Sequence, residues 1–91
     1  MICGIDHLNI VVADMERALA FYVGVLGFTK TKEARLEGEW IEQIVGLRGV
    51  KAHAVFIVPP GGEPRIELLQ YHTPVGVAGP ENSRANTLGL R

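Results

Sequence analysis

The stretch at positions 5–28 constrains the fold of this chain more than any other part of its sequence. Alternation from position 5 predicts a strand with two different faces. One face carries His7, Asn9 and Val11, and the other carries Leu8, Ile10 and Val12. The fully apolar face is suited to a covering helix, whereas the face with the imidazole and the amide is suited to a pocket.

A helix is predicted directly after this strand. Asp14 stands at the N-cap position, and Glu16 in the first turn suits the positive end of the helix dipole. Apolar residues then recur at three- and four-residue steps and form one stripe: Met15, Ala18, Leu19, Tyr22, Val25 and Leu26. Gly27 is suited to a left-handed stop, so we expect the helix to end there and to cover the sheet with its stripe.

The remaining positions predict a strand, a short helix and two further strands, which gives the order β-α-β-(short helix)-β-β. Positions 29–35 alternate Thr, Lys and Glu, which is typical of a polar strand near a sheet edge. Positions 36–49 have helical spacing interrupted by glycines, so a short helix or flap is expected, with Trp40 against the sheet or over the pocket. Positions 51–58 and 65–71 predict a hairpin. Its second strand has one face with Arg65, Glu67, Leu69 and Tyr71.

Composition limits the classes of partner. Nine basic and ten acidic side chains give a formal charge of −1, which disfavours binding to nucleic acid or to an anionic membrane. The longest apolar run, at 54–58, is too short to span a bilayer. A single cysteine, Cys3, and the lack of a signal-like start predict a cytoplasmic location. We expect residues 1–91 to form one domain, without linker or repeat.

Two side chains are the strongest candidates for chemistry. If the first and last strands are neighbours, His7 and Glu67 converge on one divalent cation, since neutral imidazole and carboxylate oxygens suit zinc, nickel, iron or manganese. Two ligands alone do not make a useful site. On residue type alone, a strand histidine and a half-exposed glutamate are more often solvated or hydrogen-bonded than bound to a metal.

Other candidates have structural alternatives of equal or greater weight. Arg65 shares the face of Glu67 and is expected either to orient that carboxylate, to bind an acidic substrate group, or to form a surface ion pair. Asn9 and Tyr71 are candidate hydrogen-bonding groups for a substrate. His53 is expected to be structural or to face a substrate, and His72 to be a solvated loop residue.

The motifs also resemble a known family. The run HLNIVVADM at 7–15, followed by ALAFY at 18–22 and LGF at 26–28, resembles the opening of the vicinal-oxygen-chelate superfamily. The run IELL at 66–69, with Tyr71 and Pro74 after it, resembles the fourth strand of that superfamily. Glyoxalase I-like lyases, methylmalonyl-CoA epimerase-like isomerases, extradiol dioxygenases and antibiotic-resistance proteins share the opening motif, so it specifies the superfamily better than the reaction.

This resemblance implies an α+β fold, a single βαβββ module that pairs with a second module to form a half-open barrel or cup. It implies that His7 and Glu67 are metal ligands for Zn, Ni, Mn, Co or Fe. The expected function is a metal-dependent lyase or isomerase that chelates the vicinal oxygens of a small substrate and stabilises an enediolate, with Glu67 as ligand and base. The alternatives are a non-catalytic, bleomycin-resistance-like binding protein and an extradiol dioxygenase-like protein.

The resemblance also raises the question of the second module. Superfamily members usually carry two modules in one chain, and the positions after the last strand, 72–91, are expected to be a loop or tail. The ending at 89–91 resembles the lead-in to a second module. Either the chain is a fragment of a two-module protein, or two copies form a homodimer in which each contributes its ligands by two-fold symmetry.

Overall fold

The computed structural model describes residues 1–79 and 84–88 and contains the predicted order of elements. The strands are β1 (His7–Val11), β2 (Thr29–Glu37), β3 (Lys51–Val58) and β4 (Arg65–Thr73). A helix, α1 (Met15–Leu19), follows β1 and continues as a π-helical stretch at Ala20–Val25, and a second helix, α2 (Glu39–Val45), lies between β2 and β3. The predicted βαβββ module is therefore confirmed.

The four strands form one sheet in the order β1-β4-β3-β2. β1 is parallel to β4, while β2 and β3, and β3 and β4, are antiparallel. β1 and β4 are thus neighbours, which the metal-site hypothesis requires. The polar strand β2 lies at a sheet edge, as its lysines predict.

One face of the sheet, here called the helix face, is covered by α1 and its continuation. Its buried centre is formed by Met15, Val55, Ile57 and Leu68. Asp14 caps α1 as predicted, since its carboxylate accepts a hydrogen bond from the backbone N–H of Arg17 at 3.1 Å. Gly27 adopts a φ of +77°, the left-handed conformation expected after this helix.

The opposite face, here called the cup face, is covered only in part. From α2, Ile41 is buried against Ala52, Ala54 and Leu69, with Val50 completing that cluster. Trp40 is 54% exposed, and its indole Nε1 donates to the carbonyl of Glu37 at 3.0 Å. The indole thus retains a large exposed area instead of being buried against the sheet.

The end of β4 differs from the sequence prediction. The strand continues to Thr73, so His72 lies within it, although it is exposed as expected. The Thr73 hydroxyl donates to the carbonyl of Gly49 at 2.7 Å, and β3 still pairs with β4 at this point, which explains the extra length. The predicted lead-in at 89–91 lies outside the described residues. Among the described residues, no helix has the length and apolar character needed to cross a membrane.

Candidate functional site

The parallel pairing of β1 with β4 positions the two candidate metal ligands. His7 lies opposite Arg65 and Asn9 opposite Glu67, so His7 and Glu67 are diagonal neighbours across two adjacent strands. Ile10 and Val12 pack into the helix-face core, which leaves the alternate residues of β1 on the cup face. Glu67 shares that face, because Leu68 is on the other side. Strand alternation predicted this common face from the sequence.

Glu67 is held by Asn9. The Asn9 side-chain amide donates to Glu67 Oε1 at 2.5 Å, between residues directly opposite each other in the β1–β4 register. The Glu67 side chain is only partly exposed. The contact fixes the orientation of the carboxylate plane. Asn9 does not bind Oε2, the other oxygen of this carboxylate.

His7 is held by the residue before it. Its Nδ1 lies 2.7 Å from Asp6 Oδ2, and Arg65 Nη2 donates to the same oxygen at 2.5 Å. These hydrogen bonds, that of His7 first and that of Arg65 next, hold the pKa of the Asp6 carboxyl below its ordinary value of 3.8. Asp6 is therefore an ionised acceptor at neutral pH, and it joins the beginnings of β1 and β4.

Phe56 of β3 completes this end of the cup face. The register pairs it with Glu67, and its ring contacts both His7 and Arg65. The His7 ring meets it edge-on with 5.4 Å between centroids, and Arg65 Cζ lies 4.9 Å from its centroid. The ring thus restricts both polar side chains.

An apolar groove lies at the other end of the cup face. It has a volume of about 400 Å³, and its lining includes Val11, Tyr71, Val75 and Val77. Val11 and Tyr71 come from the ends of β1 and β4, and the two other valines come from the chain that follows β4. Tyr71, a candidate substrate-binding residue, therefore lines a groove rather than standing on open surface.

The remaining candidates lie elsewhere. His53 alternates with the buried Val55 and Ile57, so it is on the helix-face side of β3, not in the cup. There its Nε2 lies 2.5 Å from Glu33 Oε1, and the pKa of Glu33 is lowered, first by the hydrogen bond from Lys30 and next by that from His53. Cys3 is exposed.

Comparison with known proteins agrees with this architecture. The family model described as the Glyoxalase/Bleomycin resistance protein/Dioxygenase superfamily matches residues 4–89. The chain belongs to this superfamily. The resemblance inferred from the sequence motifs is thereby confirmed.

A solved structure of another protein is similar to this superfamily chain. The crystal structure of a glyoxalase family protein from Bacillus cereus superimposes with a TM-score of 0.83 at 30% sequence identity. The match covers 99% of this chain and 60% of the Bacillus cereus protein, so this chain spans less than two thirds of the length of that protein. None of the curated proteins compared with the chain matches it significantly.

Superfamily members generally use divalent metal ions, and the cup face offers a partial donor set for one. Imidazole nitrogen and carboxylate oxygen are suitable donors for the expected metals, so His7 and Glu67 fit such an ion. Within residues 1–79 and 84–88, however, no group of three or more His, Cys, Asp or Glu side chains is close enough to hold a metal. The described part of this superfamily module therefore brings together two candidate donors, which is fewer than a metal site needs.

Sequence reasoning missed two residues of this site, Asp6 and Phe56. Asp6 lies just before β1, so the strand alternation that would place it on the opposite face from His7 does not apply to it. Its position directly before His7 in the sequence could have identified it. Phe56 could be placed on the cup face only from the β3–β4 register, which pairs it with Glu67.

Proposed function

We propose that this superfamily module contributes half of a divalent metal site and acts as a lyase or isomerase on a small molecule with adjacent oxygens. The observation that carries the proposal is the placement of His7 and Glu67 on one face of two neighbouring strands. That face also has an apolar groove at one end. The arrangement is suited to holding a small substrate beside the two donors.

Each side chain has a role in this proposal. His7 and Glu67 would hold the cation, which when bound supplies Lewis-acid polarisation of the two substrate oxygens. Glu67 would then accept the proton from the adjacent carbon, as a general base. Asn9 keeps Oε1 hydrogen-bonded, so we assign proton transfer to Oε2. Its contact with Glu67 makes Asn9 better suited to orienting the base than to binding the substrate.

The two ends of the cup face suggest how a substrate would be oriented. Tyr71 and Val11 line the apolar groove and would contact a nonpolar part of the substrate. Arg65 stands at the other end and already donates to Asp6. A guanidinium has five N–H donors, so Arg65 retains capacity to bind an acidic substrate group as well.

The other half of the site would come from a second module or a second copy. The match to only 60% of the Bacillus cereus protein is compatible with a second module in a longer chain. In a two-fold dimer of the present chain, each copy would contribute the same residues, which gives two imidazoles and two carboxylates for one cation. In either arrangement, the second half supplies the remaining ligands.

Metal content tests the proposed site. We expect protein dialysed against zinc, nickel or cobalt to retain one cation for each pair of modules, and His7→Ala and Glu67→Gln to lose it. His72→Ala is the matched control, because His72 is exposed and is not one of the proposed donors. Elemental analysis after dialysis gives the answer. Native protein without metal, or His7→Ala with undiminished metal, would refute the proposal.

Proton exchange tests the chemistry. In deuterated buffer, we expect the metal-loaded protein to exchange the carbon-bound proton of a 2-hydroxycarbonyl substrate, and NMR measures the exchange. Removing a general base costs roughly 10²–10⁴-fold, so Glu67→Gln should slow the exchange by at least about 10²-fold. Exchange that is equally fast with Glu67→Gln would exclude this residue as the base.

A second candidate is a non-catalytic binding protein, which the apolar groove favours. In that case, an apolar ligand binds without turnover, and its affinity depends on Tyr71 rather than on His7. Calorimetry with Tyr71→Ala and His7→Ala separates the two functions. Oxygen uptake with Fe(II) and a catechol would instead favour a dioxygenase.

A further inference from the structure

We propose that Asp6 is a positioning residue that holds His7 in the Nδ1–H tautomer and so leaves Nε2 as the ligating nitrogen. The ligation step rests on the proposed function, but the choice of tautomer does not. Neither the superfamily assignment nor the motif that led to it gives Asp6 a role. The inference comes from the contacts among Asp6, His7, Arg65 and Phe56.

The tautomer follows from the chemistry of the contact. An ionised carboxylate only accepts hydrogen bonds, and a neutral imidazole has one donor nitrogen and one acceptor nitrogen. Asp6 Oδ2 lies 2.7 Å from His7 Nδ1, so the proton of the neutral ring is on Nδ1. The lone pair is then on Nε2. A carboxylate on the second nitrogen of a metal-binding histidine is a common means of fixing the ring and raising its basicity.

Arg65 makes the carboxylate a fixed partner rather than a mobile one. It donates to the same Oδ2 from directly across the β1–β4 pair, so Asp6 is joined to both strands. Phe56 packs against the His7 ring and the Arg65 guanidinium, which limits the movement of each. Two strands and an aromatic ring therefore hold the imidazole in one orientation.

The alternative is an ordinary surface ion pair. The Asp6 side chain is 69% exposed, and exposed pairs contribute little to stability. Such a pair would leave the His7 tautomer and metal affinity unaffected. The two interpretations thus differ in the His7 tautomer and in the metal affinity, and a measurement of folding stability reports neither.

The first experiment reads the tautomer directly in metal-free protein. Two-bond nitrogen–proton couplings of ¹⁵N-labelled protein at pH 8, above the usual histidine range, identify which ring nitrogen carries the proton. We expect protonated Nδ1 in the native protein and in Glu63→Ala, and a shift toward protonated Nε2 in Asp6→Ala. Glu63→Ala removes the same charge from the neighbouring loop without touching His7. Protonated Nε2 in the native protein would overturn the proposal.

The second experiment measures zinc affinity for the same proteins. Loss of such a partner typically weakens metal binding by roughly 10–100-fold, which we expect for Asp6→Ala but not for Glu63→Ala. Asp6→Asn retains an acceptor oxygen and should recover the tautomer and part of the affinity. If Asp6→Ala binds zinc as tightly as native protein, Asp6 does not position a ligand. If native protein binds no zinc, the proposed function fails, and the couplings still decide the tautomer.

Discussion

Glu33 on the edge strand β2 contacts two basic side chains, Lys30 of the same strand and His53 of the central strand β3. Lys30 Nζ lies 2.6 Å from one carboxylate oxygen, and His53 Nε2 lies 2.5 Å from the other. The contacts, with the hydrogen bond from Lys30 the largest cause, lower the pKa of Glu33 from its ordinary value of 4.5. A carboxyl whose pKa is lower in the folded state stabilises the fold above its unfolded pKa, and this contribution disappears as pH falls through the folded pKa.

The prediction is a stability difference that depends on pH. Glu33→Gln should lower the free energy of unfolding most at pH 7, and the deficit should shrink as pH falls from 4.5 through the lowered pKa. Added salt should also reduce it, because Glu33 is exposed. Urea denaturation across this range measures the effect, with Glu63→Gln as the control. A deficit that stays constant from pH 7 to pH 3 would contradict the assignment.

At the same scale, the sequence predicted faces but not contacts. The two-residue period of a strand is local, so it placed His7 and Glu67 each on a definite side before any pairing was known. Which side chains meet depends on the register between strands more than fifty residues apart in the chain. The contact of Asn9 with Glu67 is set by that register, and the contact of Phe56 with His7 depends on the β3–β4 register as well, so neither could be derived locally.

The helix α2 was the least predictable element, because glycines interrupt its apolar spacing. The structure explains its length, since Gly46 adopts a φ of +73° and ends the helix in the left-handed conformation. Ile41 is its one buried residue and packs on Ala52 and Ala54 of β3. Those small side chains leave room for the helix on the cup face. This tertiary contact, rather than helical propensity, holds α2 in place.

A pair of isoleucines tests that explanation. Ile41 is 7% exposed and Ile44 is 72% exposed, although both belong to the same short helix. Ile41→Ala should reduce the free energy of unfolding by about 2–5 kcal/mol, since it removes a buried side chain and leaves a cavity. Ile44→Ala should change it by no more than about 0.5 kcal/mol. Urea denaturation of both variants gives the comparison. Equal losses would mean that propensity dominates in α2.

For the whole molecule, the two edges of the sheet are unlike each other. β2 presents lysine and glutamate side chains, including Lys30, Lys32 and Glu33, which discourage pairing with another strand. β1, the other edge of the described sheet, is short and has exposed apolar residues, with Leu8 42% and Val11 54% exposed. An association that extends the sheet is therefore expected along β1, the strand that carries His7.

Self-association along β1 would bring two copies of His7 toward one another and supply the missing donors. We expect sedimentation equilibrium to show dimers of this 91-residue chain at micromolar concentration. Val11→Lys should weaken the dimer at least tenfold, about 1.4 kcal/mol, because it places a charge against an apolar edge. Val25→Lys is the control, since Val25 is 73% exposed and belongs to the helical segment rather than to β1. A chain that remains monomeric, or an equal effect of both substitutions, would contradict pairing through β1 and would leave a second module as the source of the remaining ligands.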